Sequence, residues 1–225
     1  MNEDSDIPLF PLNVVLFPQS KIPLFIFEER YKKLIKDSIE TESEFGIILF
    51  SGHKIHTTGC TAKVIALVNE NEKGEMNIVT EGYERFELLS YKAGTEGFFI
   101  GKVRILEDDY TEYDKDVLSE CLKIYNEFVE IVYKGRIEKI NQNDIKWKKQ
   151  IRSFAFVMAE KSGMSLEDRQ RLLESNNEND RLGIILSYFK KVYPQLKETE
   201  RISDIIKSDG YIQWELWEKL LIKIR

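Results

Sequence analysis

The chain has 225 residues, more than one average domain and fewer than two full ones, so we expect two subdomains that share an interface. Its content of 42% hydrophobic and 32% charged residues is typical of globular proteins and excludes a disordered or fibrous chain. The 33 Lys and Arg residues are outnumbered by 39 Asp and Glu residues, and the net charge of −6 argues against binding nucleic acid by neutralising phosphates.

The N-terminal end and the cysteines indicate the compartment. Residues 1–6 are acidic, whereas a secretory signal begins with a basic region followed by an apolar stretch. No apolar run has the length of a membrane span, and Cys60 and Cys121 are too few for a disulfide framework. We therefore expect a cytoplasmic protein with no membrane partner.

The N-terminal half has the pattern of a β-sheet with one helix in it. Residues 7–18 and 21–27 are apolar and interrupted by prolines, which cannot donate to a sheet ladder, so they predict edge strands. Residues 28–39 switch to helical spacing. Further strands are predicted at residues 45–50, 58–68, 76–81, 85–91 and 98–106. About six short strands with one helix favour a small, partly closed β-barrel.

After Asp109 the hydrophobic spacing is helical throughout, and the chain is predicted as α+β with a β domain at residues 1–108 and a helical bundle at residues 109–225. Ser165 followed by Asp168 predicts a helix start. The last segment carries Trp214 and Trp217 at helical spacing; we expect it to pack back onto the bundle, with docking to a partner as the alternative. The bundle helices are predicted around residues 117–132, 147–158, 166–173 and 182–192.

The residues that could support catalysis or metal binding are few. His53, His56 and Cys60 offer three ligands, whereas a structural zinc site has four, so we interpret them as a polar loop followed by a core cysteine. Both histidines of the chain lie in that loop, and no distant histidine is available to pair with a nucleophile. We therefore predict no enzymatic activity, no metal and no cofactor, with an unrecognised hydrolase as an alternative.

Several short motifs follow one another along the chain, and together they resemble the N-terminal substrate-binding domain of Lon proteases over roughly residues 7–193. The resemblance implies a PUA-like barrel followed by a helical bundle. It also implies a protein that recognises polypeptide without the ATPase and protease modules of Lon. The motifs are IPLFPL at 7–12, VLFP at 15–18, IPLFIFEERY at 22–31, FG at 45–46, GCTA at 59–62, EGYERF at 81–86, LEDRQRLLE at 166–174 and NDRL at 179–182.

The resemblance and the edge-strand pattern together select candidate residues for contact with a polypeptide client. The peptide could add to the edge as a strand or lay apolar side chains against aromatic rings. The structural alternative is a core position for the aromatic residues and local ion pairs of little energy for the charged ones. RNA binding, common among PUA-like proteins, is the alternative function, and the acidic balance counts against it. The candidates are Phe25, Phe27, Glu28, Arg30, Tyr31, Glu81 and Arg85.

Overall fold

The structure is a computed structural model that describes residues 4–109, 112–141 and 153–208. Part of the helix predicted around residues 147–158 and the tail with Trp214 and Trp217 lie outside the described residues. The strands are β1 (Ser5–Leu12), β2 (Lys21–Ile26), β3 (Phe45–Ser51), β4 (Lys54–Glu70), β5 (Met76–Ala93) and β6 (Phe99–Ile105). The helices are α1 (Glu29–Thr41), α2 (Lys115–Tyr133), α3 (Phe154–Lys161), α4 (Leu166–Glu174) and α5 (Glu178–Ser208).

The six strands form one mixed sheet that curls into a partly closed ring. Their order is β2-β5-β4-β3-β1-β6, and a further pairing of β5 with β6 closes the ring. Only β1 and β3 run parallel, because β2 and α1 connect them. The predicted α+β fold, a PUA-like, partly closed barrel with one inserted helix followed by a helical bundle, is confirmed, although the ring is not a complete barrel.

Several strands of the ring contribute to one buried apolar cluster, and Phe86 is its largest fully buried side chain. Phe86 is fully buried there against Leu9, Ile48 and Val103. Gly59 on β4 makes room for it: a Cβ at this glycine would lie 2.4 Å from the Phe86 ring and 2.7 Å from a backbone oxygen. Since that oxygen belongs to the neighbouring strand and cannot move freely, Gly59 is required by packing rather than by its backbone angles.

We expect Gly59→Ala to destabilise the protein by about 2 kcal/mol, the range of overpacking in a close-packed interior. The matched control is Gly183→Ala in α5, where nothing lies within 4 Å of an added Cβ. There the added methyl should stabilise the helix by up to about 1 kcal/mol. Denaturant unfolding of the two variants measures both values, and equal stability would contradict this account of the ring interior.

The four C-terminal helices share a core with part of the barrel. In the bundle, α2 packs on α5, and the predicted helix start at Ser165 is confirmed, since its hydroxyl accepts a hydrogen bond from Asp168 N–H. Val15 and Phe17, from the loop between β1 and β2, belong to the same cluster of buried residues as the helices. The Phe17 ring stacks on Phe156 of α3 with centroids 4.8 Å apart. The barrel and the bundle therefore bury apolar surface against each other.

A buried ion network joins the barrel to the bundle. Arg85 on β5 and Arg181 on α5 are 2% and 1% exposed, and both donate to Asp108, Arg85 at 2.6 Å and Arg181 at 2.6 and 2.8 Å. The two guanidinium groups also donate to the backbone oxygens of Leu173 and Ser175 at 2.8 Å each. Burial acts to raise the pKa of Asp108, but the hydrogen bonds and charges of the two arginines hold it below its usual value.

We expect Asp108→Asn to cost about 3 kcal/mol of stability at neutral pH, because it leaves the buried Arg85 guanidinium without a counter-charge. Arg181 keeps an ion pair with Glu178 at 3.5 Å. The matched control is Asp4→Asn, which removes ion pairs with the exposed Lys102 and Arg104 and should cost less than about 1 kcal/mol.

The effect of Asp108→Asn should also depend on pH. Because the pKa of Asp108 is lower in the folded protein, its contribution to stability is present above the ordinary aspartate pKa and is lost as the pH falls through the folded value. The stability difference between wild type and variant should therefore shrink below about pH 4 in urea titrations. A difference that stays constant with pH would contradict an ionised Asp108.

Candidate functional site

Two exposed aromatic rings lie at the end of the edge strand β2, Phe25 on the strand and Phe27 directly after it. The strand pairs with β5 from Lys21, opposite Glu81, to Ile26, opposite Met76, and among the described strands β5 is its one partner. Phe25 and Phe27 are 53% and 58% exposed. Their rings stack with centroids 6.0 Å apart and planes 29° from parallel. We call these two residues the aromatic pair.

The aromatic pair continues into a flat surface made by three strands. Residues directly opposite each other on paired strands share one face of a sheet. One such row consists of Pro23, Val79 and Ala66, on β2, β5 and β4. We call the surface formed by this row and the neighbouring one, from Pro23 and Phe25 across to β4, the outer face. The alternate residues of β2 point to the other side of the sheet, where Ile22, Leu24 and Ile26 pack in the core cluster that includes residues of α1.

A polar row borders the outer face beside Phe25. Asn77 on β5 lies opposite Phe25, and Asn69 on β4 lies opposite Asn77. The Asn77 amide donates to the Asn69 side-chain oxygen at 2.9 Å. A side-chain amide has two N–H donors and an oxygen with two acceptor positions, so one mutual hydrogen bond leaves capacity for a ligand's backbone.

The three candidates that follow the aromatic pair form a local cluster at the start of α1. Arg30 donates to Glu28 through two nitrogens, at 2.7 and 3.0 Å, and both side chains are nearly half exposed. The hydrogen bond that Arg30 donates to Glu28 raises the pKa of Arg30 above its ordinary value. Tyr31 is buried, with its ring 4.2 Å from that of Phe10, and Arg30 lies over it at 4.7 Å. Tyr31 is therefore a support for Arg30 rather than an exposed contact.

The two candidates on β5 have separate positions. Glu81 lies at the other end of β2, where its carboxylate is 3.8 Å from the Lys21 ammonium group. Arg85 is buried at the junction with the bundle, hydrogen-bonded to Asp108 and to Leu173 O, so the structure does not bring it to the aromatic pair. Residues of the outer face on β4 and β5, such as Ala66 and Val79, were absent from the prediction because only the strand register places them beside β2.

The three residues considered as metal ligands, His53, His56 and Cys60, lie at the start of β4 and in the turn before it. His56 shares a hydrogen bond of 3.0 Å with Ser51, and Cys60 is fully buried, which raises the pKa of its thiol above the ordinary value. Within residues 4–109, 112–141 and 153–208, no three His, Cys, Asp or Glu side chains are grouped as metal ligands. The helices described there also include none that is long and apolar enough to cross a membrane.

Comparison with known proteins identifies relatives of the whole fold. The family model described as the ATP-dependent protease La (LON) substrate-binding domain matches residues 6–191. A Lon protease of Parabacteroides distasonis is 29% identical over 52% of the chain, and one of Buchnera aphidicola is 24% identical over 92%. The matched regions are only 15% and 27% of the lengths of those two proteases.

Solved structures show the same architecture. A Lon N-terminal domain protein from Xanthomonas campestris aligns with a TM-score of 0.63 at 23% identity, covering 81% of this chain and 98% of its own. The N-terminal domain of a Mycobacterium avium complex Lon protease also aligns at 0.63, with 15% identity and coverage of 83% and 98%. These similarities establish the fold, and the family model covers most of the sequence. The chain therefore belongs to the family of the Lon protease substrate-binding domain.

Proposed function

We propose that this domain binds polypeptide segments through the aromatic pair and the adjoining outer face, without catalysing a reaction itself. The observation that carries the proposal is the exposure of Phe25 and Phe27, whose rings stack on each other at the end of the edge strand β2. Burying a phenylalanine side chain is worth about 1.5–3 kcal/mol, so two exposed rings hold free energy that a bound apolar segment would recover. The family description supports this use, since the substrate of a protease is a polypeptide.

The bound segment is expected to make side-chain contacts in preference to a continuous strand pairing. Pro23 lies in the middle of β2 and has no N–H to donate, which is a common way for proteins to protect an edge strand. A peptide would therefore lay its apolar side chains against the aromatic pair. The side chain of Asn77 lies opposite Phe25, and that of Asn69 lies one strand further on. Both side-chain amides could hydrogen-bond the backbone of the bound peptide.

The chemistry of this surface favours a broad range of sequences. Its apolar part is built from residues of three neighbouring strands, and Glu28 and Arg30 at its end already neutralise each other. Such a surface would bind apolar residues that are exposed in an extended chain, as they are in unfolded proteins. We propose a cytoplasmic setting, which the two free cysteines fit. Neither the family model nor the relatives support the RNA-binding alternative.

The double variant Phe25→Ser, Phe27→Ser should weaken binding of a fluorescently labelled, permanently unfolded polypeptide at least about tenfold, equivalent to about 1.4 kcal/mol. Fluorescence anisotropy measures the affinity. The melting temperature should stay close to that of the wild type, because both rings are exposed.

The matched control for that variant is Phe50→Ser. Phe50 is 41% exposed and lies opposite Ile55, whereas Phe25 lies level with Asn69, on the order of 45 Å further along β4. This control should keep wild-type affinity. If Phe50→Ser weakens binding as much as the double variant, or if neither does, the aromatic pair is not the contact surface.

A further inference from the structure

The second half of β4 is an uncovered, apolar strand edge. Pairing of β4 with β3 ends at Ala62, and from Lys63 to Glu70 the strand pairs with β5 alone among the described strands. We call this segment, residues 63–70, the β4 edge. Residues 65–70 are all exposed, and Val68 reaches 63%. Strands with a covered face usually alternate between buried and exposed positions, so a run of six exposed residues shows that side chains on both faces of this stretch reach solvent.

The composition of the β4 edge is unusual for an exposed edge. Its central residues read VIALV at 64–68, without charge or proline, although charges and proline are the usual protection of such edges. The charged residues at its two ends are already engaged, Lys63 with Glu44 at 3.6 Å and Glu70 with Lys36 at 2.7 Å. The edge therefore presents an uncharged apolar strand between two neutralised ends.

The free side of the β4 edge has backbone groups that no described strand pairs. From Lys63 to Glu70, the N–H and C=O groups that point away from β5 have no strand beside them in the part of the chain that the structure describes. Two bulges, at Ile65 and Val68, bend the strand along this stretch. An extended chain lying beside the edge would supply the missing partner.

We propose that the β4 edge is a second polypeptide-contact surface, occupied by an extended, uncharged apolar segment of the same client that contacts the aromatic pair. This inference rests on the proposed function. The client that would occupy both surfaces is an unfolded chain with two apolar segments. The outer face connects the two surfaces, because the row from Ala66 through Val79 to Pro23 runs from the β4 edge to β2.

The geometry sets the length of client that is needed. A strand added beside β4 would lie three strand spacings from β2, about 14 Å, and an extended chain crosses that distance in about four to five residues. A short apolar peptide therefore reaches one surface at a time. A long unfolded chain reaches both, and the second contact becomes intramolecular once the first has formed.

The test compares a long, permanently unfolded polypeptide with a short apolar peptide on the wild type and on Val68→Lys. The lysine adds a charge at a position that is 63% exposed, so the melting temperature should not change. Val68→Lys should bind the long chain at least about tenfold more weakly, while binding of the short peptide to the aromatic pair stays at the wild-type level. The matched control, Val132→Lys on the exposed surface of α2, should leave both affinities unchanged.

Hydrogen exchange of the wild type gives a direct readout of strand addition. Backbone amides in residues 64–69 should exchange at least about tenfold more slowly when the long chain is bound. If Phe25→Ser, Phe27→Ser weakens binding but Val68→Lys and these amides show no effect, the inference fails and the proposed function stands. If neither variant weakens binding, both fail. If the amides of the free protein become protected as its own concentration rises, the β4 edge is a contact between two copies and the inference is overturned.

Discussion

The sharing of one edge of β5 between two partners is the constraint on which the rest of this structure depends. The first part of the strand pairs with β2, up to Glu81, and the second part pairs with β6, from Phe86 onward. Because each backbone group makes one ladder bond, β2 cannot also join the ring that β6 closes. The strand β2 therefore projects from the ring with one edge unpaired by the described strands, and the aromatic pair lies at the end of this projecting strand.

The bundle occupies the place where β5 changes partner. At Gly82 a Cβ would lie 2.3 Å from Phe17 O, so the loop that enters the helical core passes directly against the strand. Three residues further on, Arg85 points its guanidinium group to Asp108 and to Leu173 O. The same interruption that leaves β2 projecting thus gives the helices their contact with the sheet.

A polar junction of this kind has a physical cost that an apolar one avoids. Burying two guanidinium groups against Asp108, with Glu178 as a further partner of Arg181, requires good geometry to offset the lost hydration, and it is weak as a source of net stability. It does define orientation, because Arg181 reaches Asp108 with two hydrogen bonds at once and lies 4.4 Å above the Phe156 ring. The relative placement of sheet and helices is therefore fixed by directional bonds in addition to the apolar contact of Phe17 with Phe156.

Sequence patterns within a few residues were sufficient to predict most helices and strands, whereas contacts between distant parts of the chain decide how these elements are placed. Apolar spacing predicted α1, the switch to helices and most of the strands, and the Ser165 helix start needed only a residue three positions away. The two strands predicted at residues 76–81 and 85–91 are instead one continuous strand, β5. The position of Arg85 could not be read this way. Its partner Asp108 is 23 residues distant, and Asp108 in turn meets Arg181 after another 73. Alternation along β5 places Arg85 on the face opposite Phe86, but it carries no information that helices cover that face.

The same distinction explains which parts of the candidate site were predicted. Phe25 and Phe27 were selected from the resemblance together with the proline-interrupted pattern, which is typical of edge strands. The same pattern predicted an edge strand at residues 7–18, and that prediction is wrong, because β1 lies between β3 and β6 and pairs with both. The rest of the surface depends on register, since the bulges of β4 decide that Ala66 lies level with Val79. Bulges depend on twist and closure of the ring, which are properties of the assembled sheet rather than of any single strand.

A flat apolar surface binds any single segment weakly, and this is compatible with recognising many sequences. Tight binding through the aromatic pair alone would require a deep pocket, and a pocket would select one side chain. Contact at two separated places avoids this conflict, because the affinity then grows with the number of apolar segments in the client rather than with their identity. The protein would discriminate unfolded from folded chains by how much apolar surface they expose.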